Sequence, residues 1–253
     1  MDKIALITGA SAGIGRATAR KLAEHGFGVI LTGRRSKLLD ELEKDIHRNI
    51  HGRALSLSFD VRDNDEMNRA IDKLPADWKH IDILINNAGL AAGLDPVHKG
   101  NIEDWDQMID TNLKGLLYLT RKIVPGMIER KSGHIVNIGS IAGKEVYPKG
   151  NVYCATKHAV DAITKGMRID LVEHGIKVTQ VATGKVETEF YRVRFNGNIE
   201  KANKVYEGFE PLKPEDIAEI ILFVLTRPQH VNINDILVTS TAQANSVLTH
   251  KSQ

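Results

Sequence analysis

Tyr153 and Lys157 stand four residues apart in a segment of helical spacing, so a phenol and an ammonium share one helix face. Such a pair can pass a proton to or from an oxygen while hydride reaches or leaves the adjoining carbon. A phenol titrates near ~10, and at neutral pH it is a poor donor or base unless a charge lowers it. An ammonium about 4 Å away is worth roughly 4 kcal/mol at an effective dielectric of 20, an upper-range figure equal to about three pKa units. Lys157 is expected to supply that charge. The spacing alone is not distinctive, because Tyr118 and Lys122 repeat it. Ser140 decides between the copies: it ends an apolar strand at Ile138-Gly139-Ser140, and a short loop leads on to Tyr153. No serine or threonine ending a strand precedes Tyr118 in that way, so Tyr118 is expected to be a packing ring. Ser140 would hold a substrate oxygen and aim its carbonyl at Tyr153. Cys154 is expected to be a buried, inert thiol.

Hydride chemistry calls for a carrier, and the chain opens on a turn suited to one. Thr8-Gly-Ala-Ser-Ala-Gly-Ile-Gly15 follows a strand-like run and leads directly into an amphipathic helix. Gly9 allows the sharp turn, Gly13 lets the main chain approach a pyrophosphate, and Gly15 permits close packing of helix on strand; Ser11 and Ile14 lie in the same turn. The helix N-terminus offers free N–H groups and a positive dipole end to the phosphates. An NAD enzyme should carry an acid about 20 residues later, whereas this chain has Gly33-Arg34-Arg35. A guanidinium pairs bidentately with a 2′-phosphate, so the predicted cofactor is NADP(H), with Arg34 as main contact and Arg35 beside it. Asp60-Val61 falls where an adenine edge would be bonded. Asn87, Ala88 and Gly89, after the fourth strand, fall where the chain passes the cofactor's middle.

Seven apolar, β-branched-rich runs position these residues: 3–8, 28–33, 54–59, 81–86, 134–139, 176–182 and 235–240. Between them lie segments of helical spacing, at 16–25, 37–48, 65–73, 102–129, 153–173 and 215–226. Strand and helix in alternation predict an α/β fold, a single doubly wound Rossmann domain over 1–253. It should have about seven parallel strands, helices on both faces and the site outside the carboxyl ends of the strands. The one long irregular stretch, 184–212, carries Tyr191, Arg192, Arg194, Phe195 and Tyr206 and reads as a substrate lid. With a net charge of +2 and scattered basic residues, nothing points to nucleic acid or a membrane surface as partner; a small molecule is expected. Cys154 is the only cysteine, and no signal-peptide pattern or long apolar run is present, which predicts a cytoplasmic location. No metal site is predicted.

In these motifs the chain resembles the short-chain dehydrogenase/reductase family, from about Lys3 to at least Gln243. The match runs through the Thr8–Gly15 turn, Asn86-Asn87-Ala88-Gly89, Asn112, Ser140 and Tyr153-x-x-x-Lys157. The resemblance implies that Asn112 holds a water joining Lys157 to a proton relay. It also implies a seven-stranded sheet and a homo-oligomer, with a tetramer favoured over a dimer. Val186 and Thr188 match positions at the nicotinamide end. One departure stands out: Thr183 replaces the proline usual before Gly184, which is expected to loosen the following loop and alter affinity without loss of catalysis. The segments 186–190, 202–211 and 226–234 resemble the branch that oxidises 3-hydroxy acids such as serine, allo-threonine or 3-hydroxyisobutyrate, or reduces the matching semialdehydes. A carboxylate substrate needs a cation. Lys185, Arg192 and Arg194 lie on the lid, and Arg192 is nominated first, with Lys185 as a further contact. The competing readings are a reductase of neutral ketones, sugars or other carbonyls, and a non-catalytic NADP-binding regulator.

Overall fold

Seven parallel strands form one sheet in the order β3-β2-β1-β4-β5-β6-β7. They are β1 (Ile4–Thr8), β2 (Gly28–Gly33), β3 (Ala54–Ser58), β4 (Ile81–Asn86), β5 (Gly133–Ile138), β6 (Ile176–Thr183) and β7 (Asp235–Val238). The computed structural model describes residues 3–252. Successive side chains point to opposite faces of a strand, so a strand covered on both faces offers apolar side chains to both. In β1, Ala5 and Ile7 join one core cluster and Ile4 and Leu6 the other. The first cluster lies under α1 (Gly13–Glu24), α2 (Ser36–Asp45) and α9 (Pro214–Leu225), through Leu22, Leu39 and Ile221. The second lies under α3 (Asn64–Asp72) and α5 (Leu116–Arg130), through Met67, Ile71, Leu119 and Met127.

The strand order reverses between β1 and β4, where the chain leaves in opposite directions and opens a crevice at the carboxyl ends. Thr8 fastens that junction: its hydroxyl accepts from the backbone N–H groups of Asn87 at 2.9 Å and Ala88 at 2.8 Å. The long helix α6 (Asn151–Leu171) carries Tyr153 and Lys157 to the same end of the sheet.

Two segments differ from the pattern the sequence predicts. The expected helix over 102–129 is divided into α4 (Ile102–Ile109) and α5 by a π-helical turn, Asp110–Gly115. A Cβ on Gly115 would stand 2.7 Å from a Val61 methyl, so the glycine lets this turn lie on the chain after β3. The stretch 184–212 is less irregular than expected, since it holds α7 (Phe190–Arg194) and α8 (Ile199–Lys204) and is closed by a bridge from Val186 to Leu212. Gly184 donates to the Val238 carbonyl at 2.7 Å, and Lys185 N donates to Gln243 Oε1 at 2.8 Å. Among the described residues no helix is long and apolar enough to cross a membrane.

Candidate active site

The glycine turn between β1 and α1 forms one end of a cleft of about 340 Å³ that runs past Arg34, Arg35, Asp60, Val61, Asn87, Ala88 and Gly89 to Lys157 and Tyr153. Gly9 and Gly13 adopt left-handed φ of 66° and 51°, a region that side chains disfavour. Gly15 stands apart from the cleft, and a Cβ there would collide with the Gly9 carbonyl, so its part is helix-on-strand packing. Ser11 and Ile14 line the cleft. An elongated cleft that begins on unshielded backbone and a helix N-terminus, and passes two arginines, fits an NADP-sized dinucleotide.

At the glycine-turn end of that cleft Arg35 donates to Ser11 Oγ, from Nε at 3.1 Å and Nη2 at 2.9 Å, and from Nη1 to Glu189 at 2.8 Å. Arg34 is 3.9 Å from Asp60. The Asp60 carboxylate is held mainly by Arg62, at 2.7 Å in the closest contact. Burial pushes that carboxyl up, but the Arg62 bonds and the Arg34 charge outweigh it and hold it below the usual range. Asn87 bonds the Thr8 carbonyl through its side-chain amide at 2.8 Å, so its amide secures the strand ends beneath the cleft. Thr188 lines the cleft; Val186 is buried and faces the neighbouring cavity instead.

That neighbouring cavity, of about 260 Å³, meets the cleft at Tyr153, Ile14, Thr188 and Phe190. Tyr153 therefore borders both, Lys157 only the cleft, and Ser140 only the cavity. The division follows from the elements: Ser140 leaves the end of β5, while Tyr153 and Lys157 occupy successive turns of α6. Lys157 Nζ donates to the Ile138 carbonyl at 2.9 Å, and burial pushes its ammonium down to about 8. The Tyr153 phenol is also shifted by burial, upward from its ordinary value. The Ser140 hydroxyl and the Arg194 charge oppose that rise. Besides Lys157 one turn along α6, a second cation, Arg194, faces the Tyr153 ring. Tyr118 packs against the core beneath α5, and Lys122 pairs with Asp72, so the second tyrosine–lysine pair lies away from both spaces. Cys154 is buried and burial raises its thiol.

Asn112 projects inward from the π-helical turn. Its amide donates to the Leu90 carbonyl at 2.9 Å and to Thr156 Oγ1 at 3.1 Å, and its Oδ1 accepts from Leu90 N at 2.9 Å. One Oδ1 lone pair remains. Gly89 lies between this oxygen and Lys157, since a Cβ there would stand 3.3 Å from Oδ1 and 3.7 Å from Nζ.

The lid cations separate sharply. Arg192 is exposed and borders neither space, which corrects its nomination as substrate contact. Lys185 borders the cavity, but its ammonium donates to Thr249 at 2.9 Å and burial pushes it down. Arg194 is buried in the cavity wall at 4% exposure. Its Nη1 donates to the Tyr147 hydroxyl at 2.7 Å and its Nε to the Gly93 carbonyl at 3.2 Å. The guanidinium carbon lies 5.6 Å from the centre of the Tyr153 ring. Among the described residues no carboxylate stands within ion-pair distance of it. Helix periodicity explains the exchange. Phe190 meets Tyr153 edge-on with ring centres 5.5 Å apart, and Arg194, four residues on, shares that face of α7 while Arg192 does not. Tyr147 lies in no motif, and for Glu189 and Phe190, which fall in the 186–190 segment, the contacts become visible only in three dimensions.

Comparison with known proteins agrees with this architecture. The family model for short chain dehydrogenases matches residues 3–198. The chain is 48% identical over 242 residues to the NADP-dependent 3-hydroxy acid dehydrogenase YdfG of Salmonella typhi, covering 95% of this chain and 96% of that one. It is 43% identical over 245 residues to sulfoacetaldehyde reductase 2 of Chromohalobacter salexigens, covering 96% of each. A closed form of serine dehydrogenase complexed with NADP+ superposes with a TM-score of 0.93 at 45% identity, covering 99% of this chain and 100% of the other. The chain belongs to the short-chain dehydrogenase family.

Proposed function

We propose that this chain is an NADP(H)-dependent dehydrogenase of short 3-hydroxy acids and, in reverse, a reductase of the corresponding semialdehydes. The observation that carries the substrate class is Arg194: a buried guanidinium with no carboxylate partner, in a cavity wall beside Tyr153. Burying a charge is costly unless it is paired. Nε and Nη1 have protein partners, which leaves the outer donors for a bidentate anion. The short reach from Arg194 to Tyr153 means that an anion on one and a hydroxyl at the other belong to a molecule a few bonds long. Relatives named for 3-hydroxy acids, serine and sulfoacetaldehyde act on compounds of that kind.

On this proposal Ser140 orients the substrate oxygen and Tyr153 exchanges its proton, as general base in oxidation and general acid in reduction. Bound NADP(H) accepts or supplies the hydride. Lys157 holds the ribose on the cleft side of Tyr153, and the free Oδ1 lone pair of Asn112 holds a water that joins Lys157 to the proton relay. Arg34 and Arg35 bind the 2′-phosphate, Asp60 and Val61 the adenine, and Lys185 borders the substrate. A lone buried cysteine suits a cytoplasmic setting. Large apolar side chains are exposed at several points of the surface; those at Ile102, Ile109 and Leu117 of α4 and α5, and at Phe223 and Leu237 of α9 and β7, lie on opposite layers and are assigned to subunit contacts. Two self-complementary faces generate a homotetramer, one a dimer.

The test is the KM of a 3-hydroxy acid against that of its methyl ester with NADP+. Loss of the charged partner should raise KM about tenfold or more. Equal values would favour the neutral-carbonyl reading, and no NADPH turnover across a broad carbonyl panel would favour a regulator.

A further inference from the structure

The cavity beside Tyr153 is one-sided in charge. Among the described residues its wall holds two cations, Lys185 and Arg194, and no aspartate or glutamate. Burial raises the phenols of Tyr147 and Tyr191 on the same wall, so neither supplies a phenolate at neutral pH. Carboxylates on the flanking segments are engaged with other partners. Glu145 accepts from Ser246 N at 2.8 Å, Glu187 pairs with Lys213, and Glu189 pairs with Arg35. Asp95 and Asp104 line a separate small pocket that Arg194 also borders. The side-chain amide on the wall is engaged too, since Gln243 Oε1 accepts from Lys185 N. Aromatic faces can hold a cation, but Arg194 already lies over the rings of Tyr147 and Tyr153, at 5.4 and 5.6 Å, and Tyr191 stacks on Phe195.

We propose that, among short 3-hydroxy acids, this cavity selects those whose second carbon carries a neutral group: 3-hydroxyisobutyrate is a better substrate than serine, which bears an ammonium there. The inference rests on the assignment of Arg194 to the substrate carboxylate. With the carboxylate on Arg194 and the hydroxyl at Ser140 and Tyr153, the second carbon lies between them, within range of the guanidinium charge. A methyl and an ammonium are nearly equal in size, so shape does not separate the two acids. Charge does. The ammonium brings a second positive charge and three donors to a wall that already supplies cations and donors, and its desolvation is left without an anionic partner. The methyl meets Ile14, Ile141 and Phe190 of the same cavity at no such cost.

The experiment measures kcat/KM with NADP+ for 3-hydroxyisobutyrate, its methyl ester and serine, using both enantiomers of each, from pH 7 to pH 10. At pH 7 the better enantiomer of 3-hydroxyisobutyrate should exceed that of serine by about tenfold or more. The gap should narrow as pH rises, because the substrate ammonium loses its proton while the methyl has none to lose. Lys185, whose ammonium burial pushes down, changes the ratio in the same direction as it discharges. Serine equal to or better than 3-hydroxyisobutyrate at pH 7, or a ratio that does not move with pH, overturns the selection at the second carbon and leaves the carboxylate assignment standing. A methyl ester used as well as the acid overturns the assignment of Arg194 to the carboxylate, and the inference with it.

Discussion

Lys157 keeps an ammonium where burial favours the neutral amine, and its fall from 10.5 to about 8 records the conflict. That difference corresponds to roughly 3 kcal/mol of folding stability. The folded value lies below the unfolded one, so the penalty is full below about pH 8 and is relieved as pH rises from there to 10.5. Lys157→Met, which keeps the volume without the charge, should abolish turnover and yet stabilise the fold by about 1–3 kcal/mol at pH 7, after loss of the bond to Ile138 is allowed for. Denaturant unfolding at pH 7 and pH 10 checks this, with the gain shrinking at the higher pH. A variant less stable than the parent at pH 7 refutes it. The residue types at Ser140, Tyr153 and Lys157 were legible from local spacing. Their electrostatics were not, because desolvation of the phenol and the charge of Arg194 come from segments brought together only by folding.

Strands and helices were legible wherever burial on one face or both imposes a period. The fully buried β1 reads as a near-continuous apolar run, and α1 as an amphipathic stripe. Where the backbone departs from a regular period, that signal fails. The π-helical turn inside 102–129 keeps helical composition and so hides the widened turn that directs Asn112 toward Leu90 and Thr156. In the lid, α7 is five residues long, too short for a periodic pattern, and the choice between Arg192 and Arg194 depended on which of them lies in register with Phe190. The loop after Thr183 shows the reverse case. A proline's restraint is replaced there by hydrogen bonds from Gly184 and Lys185 to Val238 and Gln243, partners more than fifty residues away along the chain.

At the scale of the whole molecule, the reversal of strand order between β1 and β4 determines where everything else converges. The glycine turn, the end of β4, Ser140 and α6 all open onto that crevice, and the lid folds back across it. Sedimentation at micromolar concentration should show a tetramer, and a chain that remains monomeric contradicts the assignment of the two exposed apolar faces. The central claim is that a buried arginine on the lid selects an anionic substrate for the proton and hydride chemistry at Tyr153. Its most direct test is kcat/KM with NADP+ for a 3-hydroxy acid and its methyl ester in the parent, Arg192→Ala and Arg194→Gln. The preference for the acid should survive in Arg192→Ala and fall by about tenfold or more in Arg194→Gln, with the ester rate little changed. A preference that persists in Arg194→Gln, or an equal loss on acid and ester, contradicts the account.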